Sequence, residues 1–289
     1  MIGSSYMTIA TTIHNATQRL AAIGIDTASL DARLLVAHAL KLTREEMLSR
    51  EAHVLTDHER ASVEALIARR EARDPVSQIL GRRGFWRDEF LVTKDVLTPR
   101  PESETMIEAL LSLRPERDRA YQMLDLGTGS GCLLLSALRE YPKSHGTGVD
   151  ESEAALNVAR ANAQALGLDT RAQFIKSDWC MALPENFRAD IVLANPPYIP
   201  AGEIATLAPE VRQYDPMRAL HGGEDGLQCY RKIFSQLSLY LSPHALILTE
   251  VGATQAQDVA EIGRASGMKL SSIVPDLAGF ARIVVFQLP

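Results

Sequence analysis

The stretch Asp125-Leu126-Gly127-Thr128-Gly129-Ser130-Gly131 stands between an apolar run, Tyr121 to Leu126, and a segment of helical spacing, Gly131 to Tyr141. Glycines at a strand end let the chain turn tightly and let a ligand approach the backbone. A second strand-like run, Gly146 to Asp150, follows and ends in an acid 21 residues after Gly129. A carboxylate at that place can accept both hydroxyls of an adenosine ribose. Strand, glycine turn, helix, strand, acid: this order predicts an α/β fold with a nucleoside-containing ligand on the turn.

Working outward, the alternation continues. A helix is expected over Ser152 to Leu166 and strands over Arg171 to Lys176, Ala189 to Ala194 and Ala245 to Glu250. Gln255 to Ala265 reads as a helix before two more strands, Lys269 to Val274 and Arg282 to Leu288. Repeated strand–helix units imply a mostly parallel sheet of seven strands, covered on both faces. Upstream the pattern is different. Ile9, Ile13, Ala16, Leu20 and Ile23 recur at helical spacing, as do Ala32, Leu35, Val36 and Ala39 within Ser29 to Leu40. Thr43 to Ser49 is a short third helix, and Thr56-Asp57-His58-Glu59 is a capping-box pattern ahead of Val63, Leu66 and Ile67. Residues 1–74 therefore read as a small helical bundle. Residues 75–101, with Gly81, Gly84 and the run Phe85 to Val92, read as a connector containing a β-hairpin. Residues 102–289 form the α/β domain.

Composition narrows the function classes. No apolar run reaches the roughly 20 residues that span a bilayer, and Met1 to Ala10 lacks the basic-then-apolar order of a signal peptide. Cys132, Cys180 and Cys229 are odd in number and far apart, which fits a reduced cytoplasm. The seven histidines form no H-x-x-x-H pair and no cluster with cysteines, so no metal is expected. A net charge of -6 argues against stable nucleic-acid binding.

The dinucleotide fingerprint places its glycines as G-x-G-x-x-G, with a pyrophosphate at the helix start. Here they run G-x-G-x-G, and Asp125 lies two residues before the first. An acid there repels a pyrophosphate and suits a ligand with an amino group. The order D-x-G-x-G-x-G followed by a strand-end acid resembles class I S-adenosylmethionine-dependent methyltransferases, a Rossmann-like fold. The candidate cofactor residues are Asp125, Gly127, Thr128, Gly129, Ser130, Gly131 and Asp150. Asp178 and Trp179 join them after the third strand, one to accept from an exocyclic amine and one to stack on adenine.

Asn195-Pro196-Pro197-Tyr198 follows the fourth strand. Strand ends of such a sheet line the ligand crevice. N-P-P-Y resembles the motif of methyltransferases acting on a planar amide or amine nitrogen, whose lone pair is delocalised. The Asn195 side-chain oxygen and the Pro196 carbonyl can each accept one N–H of the acceptor and so aim that lone pair. Pro197 stiffens the backbone, and Tyr198 offers a flat face. No charged base is required. The motif alone leaves two substrates open: an adenine amino group on DNA or RNA, flipped from its stack, or a glutamine side-chain amide in a protein.

Other stretches carry a resemblance that separates them. Leu97-Thr98-Pro99-Arg100-Pro101-Glu102-Ser103-Glu104 resembles the "IPRPETE"-type segment of the HemK/PrmC family, and Ile79-Leu80-Gly81 with Phe85-Trp86 is similar to the segment before it. Val211-Arg212, Tyr214-Asp215-Pro216, Ala219-Leu220 and Gly222 to Leu227 are similar to the family's stretch after N-P-P-Y. Asp276-Leu277-Ala278-Gly279 resembles its C-terminal signature. The resemblance implies a protein-(glutamine-N5) methyltransferase. It would take S-adenosyl-L-methionine, release S-adenosyl-L-homocysteine, and modify the Gly-Gly-Gln loop of class I peptide-chain release factors. It implies a cytoplasmic protein, expected as a monomer, whose helical domain binds the release factor. It assigns the glycine turn, Asp150, Trp179 and Asn195 to the cofactor and Asn195, Pro196, Pro197 and Tyr198 to the glutamine. A sister group acting on a ribosomal-protein glutamine shares N-P-P-Y and is the alternative, ahead of an adenine methyltransferase. Two departures stand out: Thr98 where the family usually has Ile, and Gly279-Phe280-Ala281-Arg282 where Gly-Arg-Asp-Arg is common.

Overall fold

The structure, a computed structural model, describes residues 7–288; the first six residues of the expected bundle, and most of the stretch read for a leader, lie outside it. The chain divides into two compact units, one ending at Gly81 and one beginning at Arg82.

The first unit is helical: α1 (Ile9–Ala22), α2 (Ala28–Leu40), α3 (Arg44–Ser49), α4 (Asp57–Glu71) and α5 (Val76–Leu80). Three starts carry reciprocal capping boxes, Thr8 with Thr11, Thr43 with Glu46 and Thr56 with Glu59. Each satisfies two amide donors that a helix start leaves open. Ile9, Leu20, Leu35, Val36 and Ile67 form the centre of its core. Ile23, expected on the buried stripe, is exposed, because α1 stops at Ala22 and Gly24 turns the chain at φ +75°. Ile25 fills the place instead. A buried ion pair, Arg70 Nε to Asp31 Oδ2 at 2.7 Å, ties α4 to α2.

The second unit opens with the hairpin β1 (Arg82–Phe85) and β2 (Asp88–Leu91). Phe85 and Phe90 are buried in the same core as Met106, Leu110 and Leu134, so the hairpin is part of this unit. The boundary at Gly81 thus leaves α5 with the helices and the hairpin with the α/β unit, where the sequence reading put both in a connector. A helix the spacing did not announce, α6 (Glu104–Leu113), follows. Then come β3 (Gln122–Leu126), α7 (Cys132–Glu140), β4 (His145–Asp150), α8 (Glu153–Ala165), β5 (Ala172–Lys176) and β6 (Ala189–Ala194). After α9 (Pro209–Tyr214) and α10 (Gln228–Leu237) the chain returns through β7 (Leu241–Glu250), α11 (Ala256–Ala265), β8 (Lys269–Pro275) and β9 (Ala281–Gln287).

The seven strands β3 to β9 form one sheet in the order β5-β4-β3-β6-β7-β9-β8. Only β9 runs against its neighbours. Two apolar layers cover the sheet, one containing Leu134 and Leu138 of α7, the other Tyr230 and Phe234 of α10. The chain winds from β3 toward β5 on one side and from β6 outward on the other. The direction reverses between β3 and β6, which opens a crevice at the strand ends there. Gly127 to Gly131 and Asn195 to Tyr198 both leave strands at that reversal.

Candidate active site

The glycine turn is built by its backbone. Gly127, Gly129 and Gly131 have φ of +74°, +55° and +80°, the left-handed region that a side chain resists. The amides of Gly127 and Thr128 both donate to the Val149 carbonyl at 2.9 Å, which pins the turn to β4. At Gly131 there is a second constraint: a Cβ would sit 3.2 Å from Leu135 and 3.3 Å from Ala159. Asp125 lies beneath the turn, fully buried, and accepts from the Thr128 hydroxyl at 2.6 Å. Burial pushes its carboxyl up to about 7. It braces the turn rather than lining the crevice, so the ligand contact expected of it is not part of the cavity wall.

Asp150 does line the crevice. One carboxylate oxygen accepts from the Gly129 amide at 3.0 Å and the other from the Ser152 amide at 2.9 Å. Both oxygens are thereby fixed and each keeps a free lone pair. They border a cavity of about 610 Å³, whose floor is the turn from Gly127 to Ser130. That volume lies in the range of small-molecule sites. Trp179 forms another wall, half-buried, with a left-handed φ of +53°. Asp178 also borders the cavity but is exposed and paired with Lys232 Nζ at 2.5 Å. Its expected bond to an adenine amine competes with that pair. The donor set therefore fits an adenosine moiety: a fixed two-oxygen acceptor for a ribose, an indole beside it and glycine backbone beneath. Cys132 and Cys229 border the same cavity, and burial holds their thiols at about 12 and about 11. Neither is a nucleophile at neutral pH.

Asn195 and Pro197 close the far end. A second cavity of about 290 Å³ begins there, lined by Tyr198, Ile199, Arg100, Glu250 and Arg282. Asn195 borders both cavities. Pro196 is buried and borders neither, and Gly131 stands outside both. Burial raises the Tyr198 phenol to about 12, so it stays neutral. Its carbonyl accepts from Gln255 Nε2 at 2.9 Å.

The glycines of the 222–227 stretch now have a physical role. A Cβ on Gly226 would lie 2.4 Å from the Tyr198 carbonyl oxygen, and one on Gly222 would lie 2.8 Å from that of Pro197. Backbone packed on backbone holds the N-P-P-Y segment in place. Arg100 and the buried Asp215 are paired at 2.6 Å, which joins two of the resembling stretches. Arg282 holds Asp276 at 3.0 Å despite the altered Phe280-Ala281 beside it.

Two residues of the site were not singled out by the sequence. The Asn195 amide nitrogen donates to Ser103 Oγ at 3.2 Å, and Ser103 Oγ donates to Glu250 Oε2 at 2.5 Å. Glu250 ends β7, which pairs with β6, an available signal for an acid at the crevice. Ser103 lay within the resembling segment 97–104 but was given no role there; it comes from a short 3-10 turn, Pro101–Ser103. Among the described residues no group of three or more His, Cys, Asp or Glu side chains is placed to hold a metal ion. No described helix is long and apolar enough to cross a membrane.

A glycine turn with a strand-end acid, and N-P-P-Y at the reversal of a sheet with one antiparallel strand, define a class I S-adenosylmethionine-dependent methyltransferase. Comparison with known proteins narrows the class. A family model described as the PrmC N-terminal domain matches residues 11–81, and a methyltransferase-domain model matches residues 117–258. A release factor glutamine methyltransferase of Cereibacter sphaeroides is 45% identical, over 98% of this chain and 99% of that protein. One of Rhodospirillum rubrum is 44% identical over 92% and 81% respectively. The chain belongs to the release factor glutamine methyltransferase family. Among solved structures, the catalytic domain of hMettl16, crystallised with an RNA hairpin, matches with a TM-score of 0.55 at 16% identity, covering 81% of this chain and 82% of that one. The Thermus thermophilus 16S rRNA N2 G1207 methyltransferase matches at 0.51 and 20%, over 72% and 50%. These two share the fold.

Proposed function

We propose that this protein methylates the side-chain amide nitrogen of the glutamine in the Gly-Gly-Gln loop of class I peptide-chain release factors. The reading is supported by full-length relatives named for that reaction and by a motif suited to a planar nitrogen. The observation that carries it is the position of Asn195 on both cavities: one sized for the cofactor, the other for a small planar group. Bound S-adenosylmethionine supplies a methyl group already activated on sulfonium, leaving S-adenosylhomocysteine.

The chain's own task is then position. We assign Asp150, Trp179 and the turn from Gly127 to Gly131 to holding the cofactor, with Asp125 behind them and Asp178 at the rim. We assign the Asn195 side-chain oxygen, which borders both cavities, to one acceptor N–H and, although Pro196 borders neither cavity, its carbonyl to the other. Both bonds draw density onto nitrogen and point its lone pair into the larger cavity. Tyr198 and Pro197 flank the planar amide. The proton leaves after transfer, since an N-alkylated amide is strongly acidic at that stage.

We also assign release-factor binding to the helical unit, where Leu30 and Leu34 stand exposed one turn apart on α2. We take the protein to act in the cytoplasm, as a monomer without stably bound nucleic acid. The test is transfer of labelled methyl from S-adenosylmethionine to a purified release factor. We expect labelling that vanishes when the loop glutamine is replaced. Labelling of a ribosomal protein, DNA or RNA in its place would overturn the assignment.

A further inference from the structure

We infer that Ser103 and Glu250 are positioning residues that fix which end of the Asn195 amide faces the acceptor. The inference rests on the reading of Asn195 given above. A serine hydroxyl has one hydrogen to give. An ionised carboxylate can only accept, so at 2.5 Å from Glu250 Oε2 the Ser103 hydroxyl must donate there. Its oxygen is then left with lone pairs alone. Asn195 meets it at 3.2 Å and can satisfy it only with its NH₂ end. The Asn195 carbonyl oxygen is thereby turned away, toward the place where an acceptor N–H must be held. A flipped amide would set oxygen against oxygen and leave a buried group unpaired.

The sheet supplies the geometry. Ala194 of β6 pairs with Thr249 of β7 in parallel register, so Asn195 and Glu250 leave adjacent strands at the same level. Glu250 is held from the other side as well: the Tyr230 hydroxyl donates to its backbone carbonyl at 2.8 Å. Ser103 is buried and borders the larger cavity, Glu250 borders the smaller one, and Asn195 borders both. None of this asks Ser103 or Glu250 to touch the reacting atoms.

Three variants test it: Ser103→Ala removes the relay, Ser103→Thr keeps the hydroxyl, and Glu250→Gln no longer compels the hydroxyl to donate. Assays are run at about pH 8.5, where Glu250 is ionised, burial having pushed its carboxyl up to about 7. We expect Ser103→Ala to lower kcat about 10- to 100-fold with cofactor affinity unchanged and Tm lower by a few degrees, and Glu250→Gln to lower kcat as well. Ser103→Thr should return kcat to within about threefold of the parent. A Ser103→Ala enzyme with parental kcat, or a folded, cofactor-binding Ser103→Thr enzyme no better than Ser103→Ala, overturns the inference. A second readout needs no acceptor. In protein labelled with ¹⁵N-asparagine, the Asn195 side-chain signals are identified by their loss in Asn195→Asp. Ser103→Ala should shift them and speed their exchange with water, and Ser103→Thr should restore both. Unmoved signals overturn the relay even if wild-type enzyme labels the release factor. An unlabelled factor with shifted signals overturns the substrate reading and leaves the relay standing.

Discussion

Replacing Asp150 with Asn tests the cofactor site at its most determined point. The side chain keeps its volume, so no hole is made. What changes is the pattern of donors and acceptors. Gly129 N and Ser152 N each point a hydrogen at one carboxylate oxygen, at 3.0 and 2.9 Å. An amide can satisfy only one of them and must turn its NH₂ toward the other. A bound ribose loses one acceptor outright and finds the second uncharged. A hydrogen bond to a charged group contributes about 1.5 to 3 kcal/mol and a neutral one about 1. The combined loss is therefore about 3 kcal/mol, or about 100-fold in Kd. The unliganded protein is affected less. Asp150 is half-buried, so water can reach the abandoned amide. A cost of about 1 kcal/mol lowers Tm by roughly 2–4 °C for a unit of this size. Calorimetric titration with S-adenosylhomocysteine, beside a thermal melt without ligand, separates the two effects. A Kd within about threefold of the parent, with Tm unchanged, would refute the role given to Asp150.

Asn195→Ala should cut kcat by about 100-fold or more while changing cofactor Kd only a few-fold, since it removes one of two acceptors aimed at the nucleophile; steady-state kinetics with calorimetry shows whether the two separate. Gly226→Ala puts a Cβ 2.4 Å from the Tyr198 carbonyl at a φ of +74°. It should reduce kcat with the fold retained by circular dichroism, and full activity would mean the N-P-P-Y segment tolerates displacement. In the helical unit, Asp31→Ala removes the carboxylate that Arg70 Nε meets at 2.7 Å, at a cost of about 1.5–3 kcal/mol. Urea unfolding followed by helical signal should show that loss, and a change below about 1 kcal/mol would contradict it. The fourth expectation concerns pH. Burial raises the folded-state values of Asp125 and Glu250 to about 7, above their ordinary values, so the native chain holds protons that the unfolded chain has released. Stability from these two groups is full below about pH 4 and is lost as pH rises through about 7, by on the order of 3–4 kcal/mol each. Asp225, held down at about 2 by Arg231, titrates below that window and does not mask the trend. Denaturant midpoints of the apoprotein between about pH 5 and 8 should fall, and fall less in the Asp125→Asn variant; identical slopes would contradict the expectation.

The sequence displayed the cofactor half of the site more openly than the acceptor half. Glycine spacing and a strand-end acid are local signals, because a turn and the next strand sit within a few dozen residues. They pointed to Gly127 through Ser130 and Asp150, which line the larger cavity. They also pointed to Asp125, which stands outside its wall, since periodicity cannot tell an acid that reaches a cavity from one buried beneath a turn. Burial followed from Thr128 folding back onto it. The hairpin was visible as Phe85 to Val92, yet its place in the second unit depends on Phe85 and Phe90 finding Met106 and Leu110. α6 was missed because the apolar residues of Glu104–Leu113 stand on most of its circumference: Met106, Ile107, Ala109 and Leu110 are all buried. Ser103 meets Asn195 across 92 residues of chain and Glu250 across 147. No spacing rule covers such distances; the parallel register of β6 and β7 does.

That difference bears on how one fold serves different acceptors. The larger cavity is walled by the turn after β3, the acid of β4 and the residues after β5, together with Asp95 to Arg100, Ser103 and Pro216 to Ala219 from outside those pieces. The smaller cavity draws on Leu97, Arg100, Val211, Leu220, Glu250 and Arg282, which are scattered along the chain and lie outside the glycine turn. Leu97, Arg100, Ala219 and Asn195 border both cavities, whereas Tyr198, Val211, Leu220, Glu250 and Arg282 border only the smaller one, so a change in the latter group can reshape it with the glycine turn intact. On the proposed reading, N-P-P-Y meets the planar nitrogen and the walls around Tyr198 meet the molecule carrying it. The segments resembling the HemK/PrmC family, 97–104 and 211–220 among them, are those walls. On that reading the walls, and not the motif, choose between a glutamine and a base.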